Sequence, residues 1–192
     1  KGNDKTMNER IHDATLYEDI PSPEGREEKE MAVYRLLKEL QIPYERLDHE
    51  PMETMEACQD VDKLLHIHMC KNLFLCNRQK TNFYLLMMPG DKPFKTKELS
   101  HQLGIARLSF ASPEDMEQYL DCTPGSSSIM GLANDAENKV QLLMDEDIKA
   151  GEYLGCHPCI NTSSLKLRTA DVLETFLPAV HHEPIFVHLT GE

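Results

Sequence analysis

Apolar positions recur at helical spacing through residues 24–40, where Met31, Val33, Tyr34, Leu36, Leu37 and Leu40 form one stripe and Pro43 closes the segment. A short strand at 42–48 follows, then a short helix at 54–60 with Thr54 as its cap. Two apolar runs, 72–76 and 83–88, flank the polar stretch 77–82, a pattern that predicts a β-hairpin. Residues 96–103 read as a helix stopped at Gly104, and 107–110 as a strand. Ser112-Pro113-Glu114-Asp115 sets a cap, a first-turn proline and two acids against the helix dipole, so a helix runs from there to Leu120. Strands are expected at 139–145, 152–156, 165–168 and 185–189, with a helix over 169–177. Residues 1–23 are polar and aperiodic and carry Pro21-Ser22-Pro23, which makes them an extended lead-in to one domain over 24–192. Strands and helices are interspersed without strict alternation, which predicts an α/β domain with a mixed sheet.

Composition narrows the class. With 192 residues, 40% of them hydrophobic and 28% charged, the chain has the make-up of an ordinary globular domain with a sizeable core. No apolar run approaches the roughly 18 residues that a membrane-spanning helix needs. The polar, acidic beginning has no basic segment leading into an apolar one, so no secretory leader is expected. Six cysteines are too sparse for a disulfide scaffold; reduced thiols and a cytoplasmic location are the expectation. The net charge of −13 argues against unspecific nucleic-acid binding, yet it is unevenly spread. Residues 1–60 sum to −8, residues 61–110 to +5 and residues 111–192 to −10. The basic island holds Lys63, Lys71, Arg78, Lys80, Lys92, Lys95, Lys97 and Arg107. Chance accounts for such an island, and so does a local anion site in a chain that otherwise repels polyanions.

Candidate chemistry stands beside plainer readings. Cys156-His157-Pro158-Cys159 has the CxxC spacing of half a zinc site or a redox pair. The other ligands on offer, His66, His68 and Cys70, fit no standard zinc pattern, and no helix is expected downstream to activate a thiol, so coincidental cysteines beside a useful His-Pro are the favoured reading. The loop Pro124-Gly125-Ser126-Ser127-Ser128-Ile129-Met130-Gly131 has the composition of a nest of backbone N–H groups for a carboxylate, phosphate or oxyanion, although it would serve equally as a connection. It lacks the lysine of a P-loop. Lys71-Asn72 stands at the mouth of an apolar strand, either over a pocket or in solvent.

Seven segments, taken in order, carry a resemblance. They are His49-Glu50-Pro51 with Thr54-Met55-Glu56, Cys70-Lys71-Asn72-Leu73-Phe74-Leu75, Tyr84-Leu85-Leu86, Arg107 through Glu114, Pro124 through Asp135, Val140 through Asp145, and Gly155-Cys156-His157-Pro158-Cys159 through Thr162. Together they resemble the YbaK/aminoacyl-tRNA editing domain family and, within it, freestanding prolyl-tRNA editing proteins of the ProX/PrdX type. The likeness spans most of residues 30–189.

The resemblance implies a mixed, mostly antiparallel sheet with surrounding helices, and a trans-editing hydrolase that clears alanine from the proline tRNA with a positioned water and no cofactor or metal. The family's lysine falls on Lys71 with Asn72 beside it, its glycine-rich loop on Gly125 to Gly131, and its His-Pro segment on His157-Pro158. Catalytic roles then go to Lys71, Asn72, Gly125 and His157. Substrate binding goes to Ser126, Ser127, Ser128 and Gly131, with His49, Met52 and Thr54 as the pocket wall or as mere packing. Ile129 departs from the proline that many relatives carry in the loop. The partner is the acceptor end of tRNA(Pro), guided by the basic island, with prolyl-tRNA synthetase as a second partner and no membrane. The alternatives are a deacylase for a tRNA mischarged with Cys, Ser or Thr, a non-catalytic binder of aminoacyl-tRNA or an amino acid, and a zinc-binding module.

Overall fold

A computed structural model describes residues 10–52 and 55–192. The predicted hairpin is its spine: β2 (Cys70–Cys76) pairs antiparallel with β3 (Phe83–Pro89), from Cys70 opposite Pro89 to Cys76 opposite Phe83. Asn77 closes the turn, its Oδ1 accepting the N–H groups of Thr81 and Asn82 at 2.9 and 3.1 Å. The short edge strand β4 (Ser109–Phe110) pairs with the far end of β2. On the other side, β5 (Val140–Asp145) and then β8 (Ile185–Val187) join in parallel. The order is β4-β2-β3-β5-β8.

Strands β3 and β5 are apolar on both faces because both faces are covered. Leu85, Met87, Leu142 and Met144 enter one core, and their neighbours Leu86, Met88 and Leu143 enter the other. The second core is roofed by α3 (Thr96–Leu103) through Leu99.

The remaining strands form a separate three-stranded antiparallel sheet. Its order is β1 (Tyr44–Asp48), β7 (Ser163–Arg168), β6 (Tyr153–Cys156). The first core lies between the sheets and takes in Met31, Tyr34 and Leu37 of α1 (Glu28–Glu39) with Leu154, Leu165 and Leu167. A third cluster sets Val61 and Leu65 of α2 (Met55–Leu65) against Leu47, with Ile11 from the segment 10–23. Tyr17 also makes a β-bridge to Arg46, so part of that aperiodic segment is pinned to the body.

The two sheets meet at Met69. It bridges in parallel to Gly155, and its carbonyl accepts the Gly90 N–H at 3.0 Å. A Cβ on Gly155 would fall 2.3 Å from Ile67 Cδ1, so any larger residue there would have to displace the end of that side chain. Cys70 and Lys71 leave the junction directly into β2.

Several boundaries differ from the sequence expectation for physical reasons. Helix α1 starts at Glu28, not at residue 24, because Pro23 and Arg26 form a turn and Arg26 is spent on Glu30 and Asp48 at 2.6 and 2.9 Å. Helix α2 continues to Leu65, since Val61 and Leu65 extend its apolar stripe. Helix α4 (Pro113–Leu120) begins as expected, with Ser112 Oγ accepting the Asp115 N–H at 3.1 Å. Two elements lie outside the sequence expectation: a 3₁₀ segment over Ile129–Asn134 and α5 (Glu146–Ala150), capped by Asp145. The helical run 169–179 holds a π segment, Val172–Phe176, before Pro178, which has no N–H to return to Glu174. Among the described residues no helix is long and apolar enough to cross a membrane.

Candidate active site

A cleft of about 740 Å³ opens at the junction of the sheets. One wall comes from α2 and the turn to β2, the floor from Cys70 and Lys71, and the opposite wall from Gly125, His157 and Ser164.

Lys71 is half-buried and faces the cleft while its neighbour Asn72 alternates to the other face of β2. Its ammonium donates to the Lys92 carbonyl. Burial holds its pKa below the ordinary lysine range, and Asp91 pulls partly the other way. The accepting carbonyl is itself fixed, because the Lys92 ammonium donates to Asp145 Oδ2 at 2.8 Å, Asp147 Oδ2 at 2.7 Å and the Leu189 carbonyl at 2.7 Å.

His157 is held in one tautomer. Its Nδ1 lies 2.8 Å from the Ser163 carbonyl, which can only accept, so Nδ1 carries the proton and Nε2 is left as an acceptor. Burial lowers its pKa, keeping the ring neutral. His49 lies behind it, ring centroids 6.1 Å apart. It donates from Nδ1 to the Glu50 carbonyl at 2.8 Å and accepts at Nε2 from Ser164 Oγ at 2.7 Å. Burial takes its pKa down to about 4, aided by the neighbouring His157 and opposed by the Glu50 carbonyl.

This neutral pair has a consequence for stability. The unfolded His49 would titrate near 6.5, so its contribution is complete above that pH and is lost as pH falls toward about 4. We expect a loss of about 3 kcal/mol across that window, with His49→Gln flattening the profile. The carboxylates with lowered pKa, such as Asp48 at about 2, act only at lower pH. Urea-unfolding midpoints between pH 7 and 4.5 are the check, and a flat profile would refute the assignment.

The serine-rich loop is bound to the histidine wall. Ser128 Oγ donates to the His157 carbonyl and accepts the Met130 N–H at 3.1 Å, capping the 3₁₀ segment. Ser126 Oγ serves its own turn, accepting from Thr123 N at 3.0 Å and donating to Thr123 O at 2.9 Å. Gly125 sits at the apex with φ +90°, a conformation suited to glycine, and its N–H has no acceptor among the described residues.

The structure therefore gathers Lys71, Gly125, His157 and Met52 on one cleft, with His49 one hydrogen bond behind. Asn72, Ser126, Ser127, Ser128 and Gly131 do not line it. Among the described residues Ser127 Oγ and Asn72 Oδ1 are buried without partners, and Gly131 packs on Leu120 and Cys122. Thr54 lies outside the described residues. Asp62, Asp91 and Ser164 also line the cleft and carried no signal in the sequence, being single polar residues in unremarkable contexts. Cys156 and Cys159 are both buried. Among the described residues no cluster of three or more His, Cys, Asp or Glu is placed to hold a metal ion.

Fold and cleft together define an α/β editing-type domain. A model of the aminoacyl-tRNA editing domain matches residues 49–175, and the chain belongs to that family. It is an aminoacyl-tRNA deacylase, an ester hydrolase by class. The prolyl-tRNA editing protein ProX of Acetoanaerobium sticklandii is 30% identical over 141 residues, covering 73% of this chain and 86% of that one. Prolyl-tRNA synthetase associated domain-containing protein 1 of Danio rerio is 28% identical over 153 residues, covering 79% and 82%. A solved structure of a candidate trans-editing enzyme for prolyl tRNA synthetase has the same fold, with a TM-score of 0.62 at 10% identity over 85% of this chain and 99% of that one.

Proposed function

We propose that the protein removes alanine from mischarged tRNA(Pro), in the cytoplasm and alongside prolyl-tRNA synthetase. The observation that carries this reading is the convergence on one cleft of Lys71 from β2, His157 from the end of β6 and Gly125 from the loop after α4. The likeness to a prolyl-tRNA editing protein supports the choice of tRNA.

An aminoacyl ester is already activated, so the enzyme has to position a water and stabilise the oxyanion that forms when it adds to the carbonyl. The free Gly125 N–H suits the oxyanion, since a backbone dipole needs no reorganisation as charge develops. Lys71 supplies a cation for the terminal phosphate or the ester carbonyl. His157 offers Nε2 to a water hydrogen, orienting the oxygen for attack. The added water delivers its proton to the leaving ribose oxygen as the C–O bond breaks, giving free alanine and intact tRNA.

Selectivity comes from size. A pocket that only fills a void separates substrates by about 1–3 kcal/mol, whereas steric exclusion of the larger proline ring separates them further. Met52 and the facing side of α2 form that wall in this reading.

Wild-type protein is expected to hydrolyse Ala-tRNA(Pro) at least 100-fold faster than Pro-tRNA(Pro), the range that exclusion combined with lost contacts provides. Stability of the alanyl ester, with loss of Cys, Ser or Thr esters instead, would reject the assignment of alanine.

A further inference from the structure

Phe110 on the edge strand β4 is 65% exposed, more than any other large apolar side chain among the described residues. A single exposed ring would need no explanation, but this one has company. Phe94 meets it edge to face, centroids 6.0 Å apart, and is itself packed against the core under α3. One ring is therefore packed on the core and supports the other from the side.

Cations lie close along the chain: Lys95 follows Phe94, Lys97 is in the first turn of α3, and Arg107 stands three residues before Phe110. Lys95, Lys97 and Arg107 are exposed, and among the described residues none is within ion-pair distance of a carboxylate. Arg107 precedes β4 and Arg78 follows β2, so the pairing of Cys76 with Ser109 sets both at the same end of the sheet.

The ring pair is also joined to the cleft. Leu75 is opposite Phe110 and, four residues along β2 from Lys71, shares its face, which puts the two positions about 13 Å apart. The carbonyl that holds Lys71 belongs to Lys92, two residues before Phe94.

Aromatic rings beside unpaired cations suit bases that stack and phosphates that need counter-charges. A peptide adding to the sheet edge is a poorer occupant, because β4 is only two residues long. The surrounding chain, at −13 overall, repels a polyanion elsewhere. We infer that Phe110, braced by Phe94 and flanked by Lys95, Lys97 and Arg107, is a stacking platform for the unpaired 3′ end of the substrate tRNA as it enters the cleft. This rests on the substrate class proposed above.

The test uses uncharged acceptor-stem hairpins of tRNA(Pro), with and without the unpaired 3′ end, titrated by fluorescence anisotropy. Phe110→Ala is expected to weaken binding of the overhang RNA about tenfold, the loss of one base–aromatic stack, and to leave the blunt RNA unaffected. Phe110→Tyr keeps the ring and stays within about twofold of wild type. Arg107→Glu weakens both RNAs and flattens the salt dependence. Unchanged affinity of Phe110→Ala for the overhang RNA overturns the proposal, as does an equal loss on both RNAs. So does retention of RNA binding with loss of synthetase association, which would give the surface to a protein partner. Because no ester is cleaved in this assay, failure of the alanine assignment would show separately, as normal RNA binding without deacylation.

Discussion

Replacing Lys71 by alanine should lower kcat/KM for Ala-tRNA(Pro) by 100-fold or more, about the effect of removing one preorganised charge-stabilising group from an active site. Lys71 is the cation that the fold goes furthest to place. The junction at Met69 delivers it from β2 into the cleft, and the Lys92 carbonyl fixes its ammonium. Partial burial weakens solvent screening there, so the charge acts on substrate more strongly than it would at the surface.

The side chain faces the cleft and has no carboxylate partner within ion-pair distance among the described residues, so its removal leaves no buried charge behind. The variant should therefore fold with wild-type stability, and the loss should lie in turnover. Steady-state deacylation beside an unfolding curve separates these. Activity within a few-fold of wild type would remove Lys71 from the mechanism and shift the burden to Gly125 and His157.

Local chemistry made much of this legible. The hairpin showed through two apolar runs around a polar turn, and α4 through a serine cap and a first-turn proline, because each depends on neighbours in sequence. Helix α5 escaped because five residues are too few for a periodicity and its cap, Asp145, reads as the end of a strand. Division of the strands into two sheets was not legible either, since it turns on Met69 meeting Gly155 across 86 positions of chain. The same limit applied to the site. Lys71 and His157 stand in recognisable segments, whereas Ser164 matters only because β7 brings it to His49. The serines of the loop stand out by composition, yet Ser126 and Ser128 use their hydroxyls to shape the backbone around Gly125.

The Lys92–Asp145 pair tests how the site is held together. Lys92→Met should cost about 3–5 kcal/mol, the usual result of leaving one member of a buried ion pair without its partner. The Asp145 carboxylate is fully buried. One oxygen accepts the Asp147 N–H at 2.9 Å, but the other depends on Lys92 at 2.8 Å. Asp145→Asn should cost far less. The amide oxygen keeps the helix cap; the NH2 then faces the Lys92 ammonium, which turns to its remaining acceptors, the exposed Asp147 carboxylate 2.7 Å away and the Leu189 carbonyl. Combining Lys92→Met with Asp145→Asn should then recover more than half of the loss, because the stranded charge is gone. Urea unfolding of the three variants at pH 7 measures this asymmetry, and a cost for Lys92→Met within about 1 kcal/mol of zero would mean that the pair is solvent-screened. In the double variant, stability returns but the turn carrying the Lys92 carbonyl has lost its tether to Asp147 and Leu189. Deacylation should therefore stay impaired where folding does not, which distinguishes positioning of Lys71 from support of the fold.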